Sequence, residues 1–162
     1  MRSLPLLALL ALPVVAAAAA GAGRLELERV WPGYRTAASF SRISEYFTGV
    51  ENPGRSIVRR SQPDSREGYY FLVRLDNPGK PIAKATFRIG VIGVSAPATR
   101  TFAFQADVPA GTDVFELGLT GRDWQLVKDG VVAWQLTVQG PDGAELAHQQ
   151  SFLWSQPGDS AP

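Results

Sequence analysis

The chain contains no cysteine and only one histidine, His148. Disulfides, thiol catalysis and zinc sites built from cysteine and histidine need more of these residues than the sequence supplies. A Ser-His-Asp triad would have to use His148, and no G-x-S-x-G motif accompanies it. We therefore predict that His148 is a packed, hydrogen-bonded residue within a strand, and that the chain has no catalytic residue and no metal site.

The sequence also lacks a phosphate-binding loop. Its two closest glycine patterns, residues 90–93 and 140–143, contain no lysine, and neither precedes a segment with helical periodicity. We interpret both patterns as turns or strand irregularities, and we predict that the protein uses no cofactor.

A long apolar run occurs only at the N-terminus. Arg2 supplies a positive charge, residues 4–20 contain no charged side chain, and the alanine tract ends in an A-x-A-like sequence. These are the three parts of a secretory signal peptide, which we predict over residues 1–20 and expect to be cleaved. The alternative is an uncleaved anchor, because an apolar run of about 17 residues is near the lower limit for spanning a bilayer. Membrane contact is expected only through such an uncleaved signal peptide.

The predicted export and the missing cysteines together indicate a compartment. Small exported domains of eukaryotes often use disulfides, and this chain has neither a cysteine nor an N-x-S/T glycosylation sequon. We expect a periplasmic or extracellular protein, with a bacterial source favoured.

Charge is balanced over the whole chain but not along it. Residues 24–88 contain twelve Lys and Arg against seven Asp and Glu, whereas residues 89–162 contain three against eight. We interpret the two halves as interleaved in the fold, so that they neutralise each other; the alternative is a charged binding face. Nucleic-acid binding is excluded, because it would need a concentrated basic stripe.

Short runs of alternating apolar residues, separated by turn residues, fill most of the chain. Phe115, Leu117 and Leu119 illustrate the alternation, and Pro-Gly sequences separate such runs without any βαβ pattern. This pattern predicts an all-β fold, an immunoglobulin-like or fibronectin-like antiparallel β-sandwich of about seven or eight strands. The domain is predicted over residues 24–155, and residues 156–162 form a frayed tail. The resemblance is one of architecture and implies no function.

One segment, residues 36–47, has helical periodicity. Thr36 can serve as the N-cap, Gly49 follows the last periodic residue, and Phe40, Ile43 and Phe47 form one stripe. Because a helix of about three turns does not persist alone, we expect this stripe to pack on the β core. The sequence predicts this single short helix at the edge of the sandwich.

A basic hairpin is the first candidate binding site. Residues 55–61 and 69–76 are predicted to be strands joined by the turn-rich residues 62–68. Arg59, Arg60 and Arg66 lie in this unit, and an outward arginine with Arg66 would clamp a carboxylate or phosphate. The alternative is an edge strand whose charges prevent aggregation.

An aromatic surface is the second candidate. Trp31 and Tyr34 flank the predicted turn Pro32-Gly33, and Trp124 lies in the predicted loop 121–130. Exposed rings of this kind resemble the sugar platforms of carbohydrate-binding sandwiches. The alternative is that these rings fold back and cap an open end of the sandwich.

Carboxylates near predicted loops leave a small glycoside hydrolase as a third hypothesis, because that chemistry needs two facing acids. These acids are Glu45, Glu51, Asp64, Glu67 and Asp123. The leading hypothesis is a non-enzymatic, extracytoplasmic binding module whose partner is an envelope protein or a polysaccharide. A carbohydrate-binding module that uses loop aromatics is the main alternative.

Overall fold

The computed structural model describes residues 24–155, which form two packed four-stranded sheets. The predicted signal peptide and the predicted C-terminal tail lie outside these residues. The strands are β1 Glu26–Arg35, β2 Ile57–Arg60, β3 Gly68–Asn77, β4 Ile82–Gly93, β5 Arg100–Val108, β6 Gly111–Thr120, β7 Val131–Gln139 and β8 Glu145–Gln150. The front sheet has the order β1-β3-β6-β2, and the back sheet has the order β5-β4-β7-β8. The predicted all-β sandwich is confirmed.

The core lies between the sheets and follows the alternation seen in the sequence. Alternate residues of β3, β4 and β6 point inward, and nine of them are at most 1% exposed. These residues are Phe71, Val73 and Leu75 of β3, Phe87, Ile89 and Val91 of β4, and Phe115, Leu117 and Leu119 of β6. Burial of large apolar side chains from both sheets supplies the main favourable term in folding.

Strand β1 continues through the predicted turn at Trp31–Tyr34, so that prediction is wrong. Trp31 pairs with Leu72 and Tyr34 pairs with Tyr69 in an unbroken antiparallel ladder. Pro32 is tolerated because β1 is an edge strand with β3 as its one neighbour in the sheet. A proline at an edge also discourages pairing with another chain.

The predicted basic hairpin does not form. Strand β6 lies between β3 and β2, and β2 pairs with β6 in parallel, with Ile57 opposite Phe115 and Arg60 opposite Gly118. All other strand pairs are antiparallel. Residues 61–67 therefore cross the end of β6 instead of forming a hairpin turn.

The predicted single helix over residues 36–47 is wrong in both continuity and packing, although the segment does contain helical turns. A 3₁₀ turn, Ala37–Phe40, is followed by the extended residues Ser41 and Arg42 and then by helix α1, Ile43–Thr48. Gly49 ends α1 in the left-handed conformation (φ 68°), as its position after the last periodic residue predicts. Of the predicted stripe, Phe40 is buried, whereas Ile43 and Phe47 are 83% and 80% exposed.

A second short helix, α2, spans Gly121–Gln125 within the predicted loop, so the prediction of a single helix is wrong. A 3₁₀ turn, Phe152–Ser155, follows β8. Among residues 24–155 no helix is long and apolar enough to cross a membrane.

Candidate functional site

The outer surface of the front sheet carries a second layer made by residues 36–56, the segment between β1 and β2. We call this segment the excursion. Three contacts hold it to the sheet: a ring pair, a pair of arginines that flank one ring, and a set of ion pairs.

Tyr70 of β3 is the residue on which the excursion rests. Its neighbours Tyr69 and Phe71 face the core side, so its own ring points outward, yet it is 0% exposed. The ring lies directly over Gly118, where a Cβ would stand 2.6 Å from Tyr70 Cζ. The Tyr70 hydroxyl donates to the Arg66 carbonyl (2.7 Å) and accepts from Arg60 Nε (2.8 Å). Burial raises the pKa of this phenol, which therefore remains a hydrogen-bond donor.

Phe40 fills the space above Tyr70. The two ring centroids are 4.7 Å apart, and the Phe40 side chain is 8% exposed. The guanidinium groups of Arg35 and Arg60 lie 4.2 Å and 5.0 Å from the Phe40 ring centroid. Aromatic stacking and cation–π attraction therefore add to the burial of this ring.

Ion pairs fasten the other end of the excursion. Arg60 donates two hydrogen bonds to the carboxylate of Glu51, at 2.8 Å and 2.5 Å. Arg66 binds Glu45 at 2.7 Å and lies 3.5 Å from Glu51. The Arg66 guanidinium lowers the pKa of the Glu45 carboxyl, and the Arg60 guanidinium lowers that of Glu51.

These lowered pKa values argue against the hydrolase hypothesis at this place. A glycosidase needs one carboxyl group with a raised pKa to protonate the leaving group. Glu45 and Glu51 are brought together by Arg66, but both are held in the ionised form. Asp123 accepts a hydrogen bond from Gln62 Nε2 (2.8 Å), and Glu67 accepts one from the Tyr34 hydroxyl.

The three arginines of the first candidate site do not converge on one anion position. Arg60 and Arg66 are engaged with the carboxylates of the excursion. Arg59 is exposed, and it donates to the carbonyl oxygens of Gln105 (2.9 Å) and Val58 (2.9 Å). Arg60 and Arg66 therefore attach the excursion, and Arg59 bridges β2 to β5 at the edge of the sandwich.

The aromatic candidates separate into two groups. Trp124 stacks on Tyr69 (5.8 Å between ring centroids, 14° between planes), contacts Tyr34 (5.3 Å) and packs against the core. The hydrogen bond to Glu67 raises the pKa of the Tyr34 phenol. Trp31 lies on the outer side of β1 under the Arg29 guanidinium (5.0 Å). This arrangement favours a cap at one end of the sandwich for Trp124 and does not give an aligned row of rings.

Helix α1 is inverted relative to an ordinary surface helix. Its apolar residues Ile43, Tyr46 and Phe47, at the helical spacing i, i+3 and i+4, point away from the protein and are 83%, 90% and 80% exposed. Val50, which follows the Gly49 cap outside the helix, is 67% exposed. We call these four side chains the α1 surface. The sequence placed Ile43 and Phe47 on one stripe with Phe40, but Tyr46 and Val50 were not part of that prediction, and nothing indicated that these residues face solvent.

The inner side of α1 is polar and tightly bonded. Glu45 binds Arg66 and accepts a hydrogen bond from the Asn52 backbone N–H (3.3 Å). The Asn52 amide donates to Ser44 Oγ (3.2 Å) and accepts from the Gly54 N–H (2.9 Å). These bonds fix the direction in which the α1 surface points, so its exposure is a built feature of the fold.

The outer surface of the back sheet is polar and carries the single histidine. His148 is exposed, so the prediction that it is packed is wrong; its Nε2 lies 3.2 Å from Gln150 Oε1. Trp154 lies over Gly90, where a Cβ would stand 2.8 Å from the ring. Arg88, Gln135 and Thr137 line the same shallow groove.

No group of three or more His, Cys, Asp or Glu residues in the part of the chain from 24 to 155 could hold a metal ion. Comparison of the sequence and structure with protein-family models, curated proteins and solved structures finds no match.

Proposed function

We propose that this chain is a non-enzymatic, extracytoplasmic binding module that docks through the α1 surface. The observation that carries the proposal is the inverted helix: three apolar side chains on the outer side of α1, together with Val50 just beyond its end, are all at least 67% exposed. Single exposed apolar residues are ordinary, but a contiguous cluster of them marks an interaction site.

The way in which the excursion is built supports this function. Phe40 is its one buried apolar anchor, but from α1 onward the acidic residues Glu45 and Glu51 make the attachment and the apolar residues of the α1 surface are left outside. A segment selected only for stability would place the apolar side inward, because burial of each large side chain is worth about 1.5–3 kcal/mol. The reversed arrangement is explained when the apolar side contacts a partner.

Retention of the protein by the cell envelope tests the proposal. Cells that make the protein are fractionated, and the envelope-bound share is measured for the wild type and for a variant with Ile43→Ser and Phe47→Ser. The double variant is expected to lose most of its envelope retention. Phe152→Ser is the matched control, because Phe152 is equally exposed (86%) but follows β8 of the back sheet.

Two results would contradict the proposed function. One is equal retention of the double variant and the wild type, and the other is equal loss of retention in the Phe152→Ser control. Since all three substituted side chains are exposed, each variant should unfold within about 0.5 kcal/mol of the wild type, and this is checked by thermal unfolding before fractionation.

A second candidate, a carbohydrate-binding module, has one observation in its favour. The Trp154 ring lies on Gly90 beside Arg88, Gln135 and Thr137, an aromatic face next to polar groups that would bind hydroxyls. Thermal unfolding with a panel of oligosaccharides tests it, since a ligand at 100 times its Kd adds about 2.7 kcal/mol. A shift that Trp154→Ala abolishes and Trp124→Ala retains would favour this candidate, whereas a flat panel would remove it.

A further inference from the structure

We infer that the α1 surface inserts into the headgroup boundary of an anionic phospholipid bilayer. This inference rests on the proposed function and names the partner of the same surface. It adds a membrane contact within the folded domain, whereas the sequence led us to expect membrane contact only through the signal peptide.

The chemistry of the α1 surface matches that boundary. Tyr46 and Phe47 supply aromatic rings, which contact each other edge to face at 5.7 Å, and Ile43 and Val50 supply aliphatic side chains. Tyrosine concentrates at membrane–water interfaces because its ring is apolar and its hydroxyl is polar. Amphipathic helices lie in the same layer with their aromatic and aliphatic side downward.

Charge around the α1 surface is complementary to anionic headgroups. Arg42 directly precedes α1, and its guanidinium lies beside Gly54, the residue that precedes Arg55 in the chain. Both arginines are exposed, and no carboxylate within residues 24–155 forms an ion pair with either of them. The acids of the excursion, Glu45 and Glu51, are already neutralised by arginines of the front sheet side.

The shape and size of the surface favour a bilayer over a protein partner. Three of the four side chains project from a six-residue helix and Val50 follows its end, and their combined area is on the order of 600 Å², judged from the area that large side chains bury. A stable protein interface usually buries about 800 Å² on each partner and needs a matching groove. A bilayer accepts a small projecting wedge without either requirement.

Vesicle binding tests the inference with the protein purified after export and its N-terminus determined by mass spectrometry. Flotation is measured with phosphatidylcholine vesicles and with vesicles that contain about one-third phosphatidylglycerol. Binding to the anionic vesicles is expected, and it should weaken as salt screens the arginines. The Ile43→Ser and Phe47→Ser double variant should bind at least about tenfold more weakly, and Phe152→Ser should bind like the wild type.

A second variant separates the arginines from the apolar residues. Arg42→Gln with Arg55→Gln should lower the affinity for anionic vesicles by about fivefold for each arginine, and it should leave binding to phosphatidylcholine unchanged. The inference is overturned if the wild type does not bind anionic vesicles, or if the apolar double variant binds them as well as the wild type does.

The envelope and vesicle experiments fail in different ways. If the wild type ignores vesicles while envelope retention still depends on Ile43 and Phe47, the bilayer inference is wrong and the binding module has a protein partner. If envelope retention is also independent of these residues, the proposed function is wrong as well.

Discussion

Replacing Phe40 with alanine should detach the excursion from the front sheet. About nine-tenths of the Phe40 side chain is buried, and its ring contacts Tyr70, Arg35 and Arg60. Removing a buried phenylalanine costs about 3–5 kcal/mol in protein cores. Phe40 lies in a surface layer that can relax into the space left, so we expect the lower end of that range, about 3 kcal/mol.

The same excursion supplies the control for this prediction. Phe47→Ala removes the same side chain from a position that is 80% exposed, and it should change the free energy of unfolding by less than about 0.5 kcal/mol. Urea unfolding followed by tryptophan fluorescence compares the two variants. Amide exchange then locates the loss, which should be concentrated in residues 41–56 and small in the back sheet.

A difference between the two variants of less than about 1 kcal/mol would refute this reasoning. The same conclusion would follow if Phe40→Ala accelerated amide exchange in the back sheet as much as in the excursion. Either result would mean that Phe40 does not anchor the excursion as a separate layer.

Three further predictions concern the same layer. Gly118→Ala should lower the free energy of unfolding in urea by about 1–3 kcal/mol, because the new methyl group overlaps the Tyr70 ring. The ring cannot move away without breaking the hydrogen bonds of its hydroxyl, so an unchanged free energy of unfolding would show that the ring is free to shift. Tyr70→Phe should lower the free energy of unfolding by about 1–3 kcal/mol, because Arg60 Nε and the Arg66 carbonyl lose their hydrogen-bond partner. An unchanged urea midpoint would contradict the stabilising role of these two hydrogen bonds. The pKa of Glu51 is lowered from 4.5, so its stabilising contribution is present above that pH and is lost as the pH falls through the folded value. The free energy of unfolding of Glu51→Gln should therefore depend less on pH than that of the wild type between about pH 6 and about pH 3. An equal pH dependence in the variant and the wild type would exclude the Arg60–Glu51 ion pair as a source of that dependence.

The alternation of apolar residues was enough to predict the sandwich and its core. Phe87, Ile89 and Val91 alternate with Arg88 and Gly90, and a period of two places all three on the buried side of β4 whatever the strand order. Strand order was not predictable in the same way. The turn-rich residues 62–68 suggested a hairpin, but β6 provides a ladder on both of its edges and separates β2 from β3.

Periodicity also predicted the apolar stripe of α1 but not its direction. A period of 3.6 residues predicts that Ile43 and Phe47 share one side of a helix. That this side faces the core is a separate step, which the periodicity does not support by itself. The step fails here because Glu45, on the polar side of α1, binds Arg66 outside the excursion, and Asn52 binds Glu45 within it. The pairing of Glu45 with Arg66 joins residues 21 positions apart and leaves no local signal in the sequence.

The candidate arginines were found, but their role was not. Arg59, Arg60 and Arg66 attracted attention as a cluster, and a cluster is equally compatible with binding an external anion and with binding carboxylates of the same chain. The deciding residues, Glu45 and Glu51, lie before the arginines in the excursion. Only the folded arrangement brings them together.

The parallel pairing of β2 with β6 gives the α1 surface a particular place in the order of folding. Gln62 and Thr120, which close this junction, are 58 residues apart, and the loop between them must be closed before the pairing can form. Contacts of such long range form more slowly than local pairs such as β4–β5 and β7–β8. The excursion is fastened at its far end by Arg60 of β2, so the α1 surface takes its place only when β6 is there to pair with β2. Under the proposed function, a partner is therefore bound only by molecules whose sandwich is complete.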